Sequence, residues 1–151
     1  MKKAEVLEQL SPCGLDCGRC VRFKGGKLAQ AAKALEDGLR GFGNMAARMA
    51  QHSPALSGYA QFEAVLNLLS KADCIGCRQG STTCLPTCAI RTCFKEKGVD
   101  FCGDCADFPC DRSPFPGQFK QKWIDMNQRI HEIGAESYYE EQLKESRYGG
   151  A

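Results

Sequence analysis

The sequence predicts a mainly α-helical protein, in which amphipathic helices pack on an irregular, cysteine-rich lobe with little or no β-structure. Apolar residues recur at helical spacing on both sides of the segment 73–113, and no segment alternates as a strand does. Eight of the eleven cysteines lie in that segment, where helical periodicity fails. Leu, Ile, Val and Phe together supply only 29 of the 151 residues, so we expect the cysteines to replace part of the apolar core.

Two helical regions precede the cysteine-rich segment. Residues 27–51 predict two helices or one bent helix, because Gly41 and Gly43 interrupt the pattern. Met45 and Met49 are interpreted as core residues. A further helix is predicted over residues 59–71. The predicted apolar faces are Leu28, Ala31, Ala32, Leu35 and Leu39 in the first region, and Tyr59, Phe62, Val65, Leu66 and Leu69 in the second.

Three further helices are predicted towards the C-terminus. The first covers residues 88–97, and Gly98 supplies its C-terminal stop. The second ends at Gly134 and follows Pro114 and Pro116. Its apolar residues step by four and three: Phe119, Trp123, Met126, Ile130 and Ile133. The last helix covers residues 136–147, ahead of a frayed terminus.

A chain of 151 residues predicts one domain. We expect a cysteine-rich lobe from residues 11–22 and 73–113, a helical insert at 27–71, and C-terminal helices at 115–147. Glu5 and Glu8 interrupt the N-terminal stretch where a signal peptide needs apolar residues. No apolar run reaches the length of a membrane span. The expected location is the cytoplasm, without membrane association.

The cysteine spacings predict a metal-binding protein. Structural disulfides are rare in a reducing cytosol, and an odd number of cysteines leaves one unpaired. Three C-x2-C turns, each containing glycine, can place two thiolates around one ion. The candidate ligands are all eleven cysteines: Cys13, Cys17, Cys20, Cys74, Cys77, Cys84, Cys88, Cys93, Cys102, Cys105 and Cys110. Zinc fits four thiolates best, and two or three ions are expected; which cysteines share an ion stays open.

Two alternatives remain open. An iron–sulfur cluster is the first, because the spacing of Cys13, Cys17 and Cys20 resembles the cluster loop of radical S-adenosylmethionine enzymes. Against it, the chain is too short for their barrel, and the ferredoxin cysteine run is absent. A thiol oxidoreductase is the second, since Cys17-Gly-Arg-Cys20 is similar to a thioredoxin motif, although the βαβ context is missing. We predict no catalytic residues, because zinc closed by four thiolates has no position for a reactive water.

The expected partner is another protein. Basic residues near Cys20, including Arg19 and Arg22, could meet a nucleic acid, but solvated helix faces and cations that offset nearby thiolate charge explain them better. Eight thiolates with two zinc ions would turn the formal charge of +2 into −2, and eleven with three would give −3. A mildly acidic protein attracts phosphate poorly, so nucleic acid is weakly supported.

Four motifs together resemble one cysteine-rich prokaryotic family of small proteins, carried as a domain of unknown function. They are Cys13-Gly-Leu-Asp-Cys17-Gly-Arg-Cys20, Cys74-Ile-Gly-Cys77, Cys88-Ala-Ile-Arg-Thr-Cys93-Phe-Lys-Glu-Lys-Gly98 and Cys102-Gly-Asp-Cys105-Ala-Asp-Phe-Pro-Cys110. The resemblance covers residues 13–113, and all eleven cysteines fall on family positions. It implies a zinc-type metal-binding protein and brings no activity. Together with the spacings, it predicts a structural zinc protein with cysteine knuckles that serves as an interaction module.

Overall fold

The computed structural model describes residues 1–80, 84, 85 and 87–149. The described residues form seven α-helices: α1 (Lys3–Gln9), α2 (Lys27–Gly38), α3 (Gly43–Met49), α4 (Tyr59–Ser70), α5 (Ile90–Lys97), α6 (Gly117–Ile133) and α7 (Ala135–Lys144). Three short 3₁₀ helices cover Pro54–Gly58, Cys77–Gln79 and Cys102–Asp104. Within these ranges the structure contains no strand, and β-structure is limited to isolated bridge residues, among them the paired Leu10 and Asp16. The predicted mainly α fold is therefore confirmed.

The chain divides into two compact units. The first combines Met1–Cys20 with Cys74–Ala151, and the second is Val21–Asp73. All eleven cysteines belong to the first unit, and the predicted helical insert belongs to the second. That the whole chain behaves as one domain stays a prediction. None of the described helices has both the length and the apolar character to cross a membrane.

Glycines set several helix ends as predicted. Gly98 ends α5 in the left-handed conformation, with φ of +66°, and Gly134 ends α6 with φ of +82°. Gly41, with φ of +79°, lies between α2 and α3, so the region 27–51 forms two helices. The predicted helix at 88–97 begins two residues later than expected, at Ile90.

Helix α1 has no counterpart among the helices predicted from the sequence. Val6 of α1 is completely buried, and Leu10, directly after the helix, is almost completely buried. They belong to the first apolar cluster of this unit, which also contains Phe101, Ile130, Ala135, Tyr138 and Tyr139. The seven residues of α1 are too few to be stable alone, so tertiary packing forms this helix.

A second apolar cluster of the same unit joins cysteines to α6. Cys13, Ile90 and Trp123 are buried at its centre, and Cys88, Cys102 and Cys110 pack around them. The ring of Phe108 meets Trp123 edge-on, with centroids 4.8 Å apart. The predicted apolar face of α6 is confirmed at Trp123 and Ile130 and wrong at Phe119, which is 65% exposed because it lies in the first turn, ahead of the cluster.

The predicted apolar faces of the second unit are largely wrong. Helices α2 and α4 pack against each other, and the buried residues of α2 are Ala29 and Ala32. In α4 the buried residues are Tyr59 and Leu66. The predicted core residues Leu28, Ala31, Leu35, Met45, Met49, Phe62 and Val65 are exposed. Small alanines form the interface of α2 with α4. The second unit has few helices, so each helix buries only one of its sides.

Candidate metal centres

The structure brings ten of the eleven cysteines into two groups. All eleven carry free thiols. We call Cys93, Cys102, Cys105 and Cys110 the four-thiol group, because they line one cavity. We call Cys13, Cys17, Cys74, Cys77, Cys84 and Cys88 the six-thiol group, because each is linked to another member through the effect of one thiol on the pKa of the other; Cys13 also contributes to the pKa of Cys102 in the four-thiol group. Among the described residues, the Cys20 side chain has no observed interaction with either group.

The cavity of the four-thiol group is small and apolar. Its volume is about 20 Å³, which is enough for roughly one water-sized particle. The side chains of Ile90, Phe94, Phe108 and Trp123 form most of its remaining wall. The four cysteines therefore line one small cavity whose wall is almost entirely apolar.

A 3₁₀ turn positions two of these thiols. The N–H of Cys105 donates to the carbonyl of Cys102 at 3.1 Å, which closes the C-x2-C turn. The Asp104 carboxylate accepts the N–H of Phe101 at 3.0 Å and fixes the start of the turn. This is the knuckle that the sequence predicts for a metal ligand pair.

Asn127 of α6 connects this knuckle to the N-terminal cysteines. Its side chain is fully buried, and its Oδ1 accepts the N–H of Gly103 at 3.0 Å. Its Nδ2 donates to the carbonyls of Cys13 at 3.0 Å and Trp123 at 2.8 Å. The role of Asn127 was not expected, because the helical spacing of α6 marks apolar positions and gives no sign that a polar residue lies among them.

The surroundings of Cys102 favour a thiolate in one respect and oppose it in another. Burial, with a smaller contribution from the nearby thiols Cys13, Cys110 and Cys93, raises the pKa of Cys102 to about 12. The indole N–H of Trp123 acts in the opposite direction and lowers the pKa of Cys102. This buried N–H has no partner at hydrogen-bonding geometry among the described residues. A thiolate at Cys102 would supply the missing acceptor.

Arg112 brings a positive charge to the rim of the same group. Its Nη1 lies 3.4 Å from the sulfur of Cys93, and its Nη2 donates to Glu96 at 3.2 Å. The negative charge of a Cys93 thiolate is the main cause that raises the pKa of Arg112. Arg112 thus offsets part of the charge that thiolates would bring.

Hydrogen-bond donors surround the six-thiol group. The hydroxyl of Ser11 lies 3.0 Å from the sulfur of Cys13 and also acts on Cys17. At the start of α5, the backbone N–H groups of Ile90 and Arg91 hydrogen-bond the sulfur of Cys88 and so oppose the rise of its pKa by burial. Donors of this kind stabilise the ionised form of sulfur.

The thiols of the six-thiol group resist ionisation together. Burial is the main cause that raises the pKa of Cys17 to about 12, and Cys13, Cys74 and Cys84 contribute to this rise. Burial is also the main cause that raises the pKa of Cys77 to about 12, with contributions from Cys17, Cys13, Cys84 and Cys88. Thiolates at these positions need a cation among them, and a divalent metal ion provides one.

Arg78 lies beside both groups and was not expected as a site residue. Its Nε donates to the carbonyl of Leu10 at 3.0 Å, and its Nη2 to that of Asp100 at 2.7 Å. The guanidinium lies over the rings of Phe101 and Phe94, at 5.0 and 5.5 Å from their centroids. Burial lowers the pKa of Arg78, whereas Cys13, Cys102 and Cys17 oppose this. The feature of the sequence that points to Arg78 is its position directly after Cys77.

The turn at Cys17–Cys20 differs from a thioredoxin site. The N–H of Cys20 donates to the carbonyl of Cys17 at 2.9 Å, and the next helix, α2, begins only at Lys27. No helix N-terminus therefore lies at this pair to lower the pKa of its thiols.

The basic residues of this region are engaged by the protein itself. Arg19 pairs with the buried Asp16 and donates to the carbonyls of Gln142 and Glu145. Arg22 pairs with Asp73 at 2.9 Å. These contacts fit the interpretation of the basic cluster as protein surface.

In the ranges that the structure describes, no three His, Cys, Asp or Glu side chains already stand as ligands around a single point. Neutral thiols do not attract one another. To coordinate zinc, the sulfurs would have to move to the ideal distance of about 2.3 Å from the ion.

Comparison with known proteins gives one match. No curated protein and no solved structure is similar to this chain. Residues 9–114 match a family described as "Protein of unknown function (DUF3795)", and this range contains all eleven cysteines and both thiol groups. The resemblance seen in the four cysteine motifs is thereby confirmed, and the chain belongs to the family DUF3795.

Proposed function

We propose that this protein is a structural zinc protein, and that the four-thiol group encloses one zinc ion. The observation that carries the proposal is that four cysteines line one small apolar cavity of about 20 Å³. Zinc accepts four thiolates in a closed tetrahedral site and needs no open position there. Trp123 and Arg112 supply an N–H group and a positive charge beside the sulfurs.

The ligand set favours a single ion over an iron–sulfur cluster. Four thiolates complete the coordination of one zinc ion, and the ferredoxin run of cysteines is absent from the sequence. The cysteines of the four-thiol group also come from α5, the knuckle and the segment before α6, so one ion would tie three parts of the chain together.

The proposed ion stabilises the fold in place of a large apolar core. Structural zinc contributes an apparent ~10–16 kcal/mol in small peptides, which is comparable to the stability of a whole domain. The Cys-rich segments carry few large aliphatic residues. We infer that the first unit depends on metal for its folding.

We propose a protein as the partner, in a reducing compartment such as the cytoplasm. Free thiols at all eleven cysteines suit such a compartment. Helix α4 exposes Phe62, Val65 and Leu68. Apolar side chains of this kind complement another protein better than the phosphates of a nucleic acid. A structural role also fits a site of four thiolates, because zinc closed by four thiolates has no open position for a substrate.

Elemental analysis of the purified full chain tests the proposal. We expect bound zinc in the wild-type protein, one ion fewer in Cys105→Ser, and no loss in the matched control Cys20→Ser. A chelator should lower the melting temperature of the wild-type protein strongly. An unchanged melting temperature after complete removal of metal would contradict the structural role, and stoichiometric iron would favour the cluster alternative.

A further inference from the structure

Cys17 and Cys77 are anchored to the same end of α1. The N–H of Cys17 donates to the carbonyl of Gln9, the last residue of this helix, at 2.8 Å. Arg78, directly after Cys77, donates through Nε to the carbonyl of Leu10 at 3.0 Å. Two loops that are distant in sequence therefore meet where α1 ends.

Both cysteines line one cavity at this meeting point. The volume of the cavity is about 120 Å³, compared with about 20 Å³ at the four-thiol group. The side chains of Leu7, Leu10 and Ile75 form its apolar wall. An engineered cavity of ~150 Å³ binds benzene, so this one has room for an ion and a small organic group beside it.

Ser11 brings a third sulfur to the same cavity. This serine lines the cavity and is only 2% exposed. Its Oγ lies 3.0 Å from the sulfur of Cys13, which is itself buried. Cys13 therefore touches the wall that contains Cys17 and Cys77.

We propose that this cavity holds an ion of the zinc type bound by the thiolates of Cys13, Cys17 and Cys77, and that the fourth coordination position takes the sulfur of a small thiol. The ion would draw the three sulfurs together, as in the four-thiol group. The inference rests on the proposed function insofar as it takes the chain to be a zinc–thiolate protein. It differs in that this second site is open to a ligand from solution.

Ligand counting leaves one position of this ion open. Tetrahedral zinc with three protein ligands keeps its fourth position for water or a substrate. Among the described residues, Cys17 and Cys77 are the only cysteines that line the cavity, and Cys74, next to Ile75, is not part of its wall. The fourth position therefore faces the remaining space of the cavity.

The chemistry of the wall favours a thiol as the ligand. Thiolate sulfur binds zinc well, and the side chains of Leu7 and Ile75 suit a short hydrocarbon chain. The carboxylate of Glu8, which also lines the cavity, repels ligands that carry a carboxylate or a phosphate. A thiol arrives uncharged, releases its proton to solvent and binds as a thiolate in place of a water molecule.

Cobalt substitution of the full chain tests the proposal. Divalent cobalt replaces zinc in thiolate sites, and its visible spectrum changes with the number of bound sulfurs. Elemental analysis should show one ion fewer in Cys77→Ser than in the wild type and in the matched control Cys20→Ser. Addition of β-mercaptoethanol should change the cobalt spectrum of the wild type without loss of metal, and should leave that of Cys77→Ser unchanged.

A second variant tests where the thiol binds. Ile75→Trp fills the cavity from its wall and should weaken the response to β-mercaptoethanol by about tenfold. A response as strong as that of the wild type would place the thiol elsewhere and overturn the inference. If Cys77→Ser does not fold, the response of the wild type and its weakening in Ile75→Trp decide the question.

The outcomes separate this inference from the proposed function, which Cys105→Ser tests. Loss of an ion in Cys105→Ser but not in Cys77→Ser would overturn this inference alone. Loss in Cys77→Ser but not in Cys105→Ser would support the second site and overturn the proposed role of the four-thiol group. An ion that is lost in Cys77→Ser but does not respond to the thiol would overturn the open position. The absence of any bound metal would overturn both proposals.

Discussion

Gly103 and Asn127 are in contact so close that residue 103 has no room for a side chain. The N–H of Gly103 donates to Oδ1 of Asn127 at 3.0 Å, and a Cβ on Gly103 would lie 2.8 Å from the carbonyl oxygen of Asn127. The knuckle of Cys102 and Cys105 thus rests directly on the backbone of α6.

Gly103→Ala should destabilise the protein by about 1–3 kcal/mol, because the knuckle must move away from α6. The free energy of unfolding of the metal-loaded protein measures the effect. The control is Gly38→Ala, since a Cβ at this helical residue would meet nothing within 4 Å. Equal stability of the two variants would show that the contact is relieved without cost.

Asn127→Ala should destabilise the protein by about 3 kcal/mol or more. The substitution leaves the N–H of Gly103 and the carbonyl of Cys13 buried without their partner, which costs more than the hydrogen bonds alone. Chemical denaturation is the measurement. Gln128→Ala, at the exposed neighbouring position, should stay within about 0.5 kcal/mol of the wild type. If Asn127→Ala lowers the free energy of unfolding as little as Gln128→Ala does, the Asn127 amide does not have this role.

Arg78→Lys should destabilise the protein by about 2 kcal/mol, although it keeps the positive charge. Lysine cannot donate to the carbonyls of Leu10 and Asp100 in the geometry of a guanidinium, nor stack on two rings. Thermal unfolding would reveal the loss. The control is Arg40→Lys, at an exposed residue paired with Asp37, where we expect almost no change. If Arg78→Lys leaves the stability of the protein unchanged, only the positive charge at residue 78 matters.

Trp123→Phe should weaken zinc binding at the four-thiol group by about 10–100-fold. The phenyl ring keeps most of the packing but removes the indole N–H that favours a thiolate at Cys102. Competition with a chromophoric chelator measures the affinity. Any metal bound elsewhere in the chain should keep its affinity, which provides an internal control. Equal weakening of all ions would point to a general loss of folding.

Tyr138 should contribute to unfolding at alkaline pH. Burial raises the pKa of its hydroxyl from 10.0 to about 12 in the folded protein. Because the folded pKa is the higher one, the resulting stabilisation is complete below the unfolded pKa and is lost as the pH rises towards the folded value. The stability difference between wild type and Tyr138→Phe should therefore decrease between about pH 10 and 12. Tyr148→Phe, at an exposed tyrosine, should show no such trend.

The sequence predicts the helices of this protein better than their buried faces. Gly98 and Gly134 end helices as expected, because a left-handed residue stops a helix locally. The faces of α2 and α4 depend on which neighbour each helix meets, and in α2 the alanines pack while Leu28 and Leu35 stay outside. Helix α1 is too short to leave a periodic signal.

The cysteines were predictable as a set and not as groups. Each C-x2-C spacing is local and can be read directly, whereas the groups combine loops that are distant in sequence. Asn127 brings the carbonyl of Cys13 and the N–H of Gly103 to one amide, and nothing in the spacing of the cysteines shows this. Arg78 is similar, since its partners Leu10 and Asp100 lie in other segments.

The discontinuous course of the cysteine-containing unit has a consequence for biosynthesis. The chain leaves this unit at Cys20 and returns at Cys74, more than fifty residues later. At ~5–20 residues per second, a ribosome needs several seconds to make the intervening segment. Cys13 therefore emerges well before Asn127 of α6, which hydrogen-bonds its carbonyl. During this interval the newborn chain carries three thiols that the rest of the unit has yet to enclose.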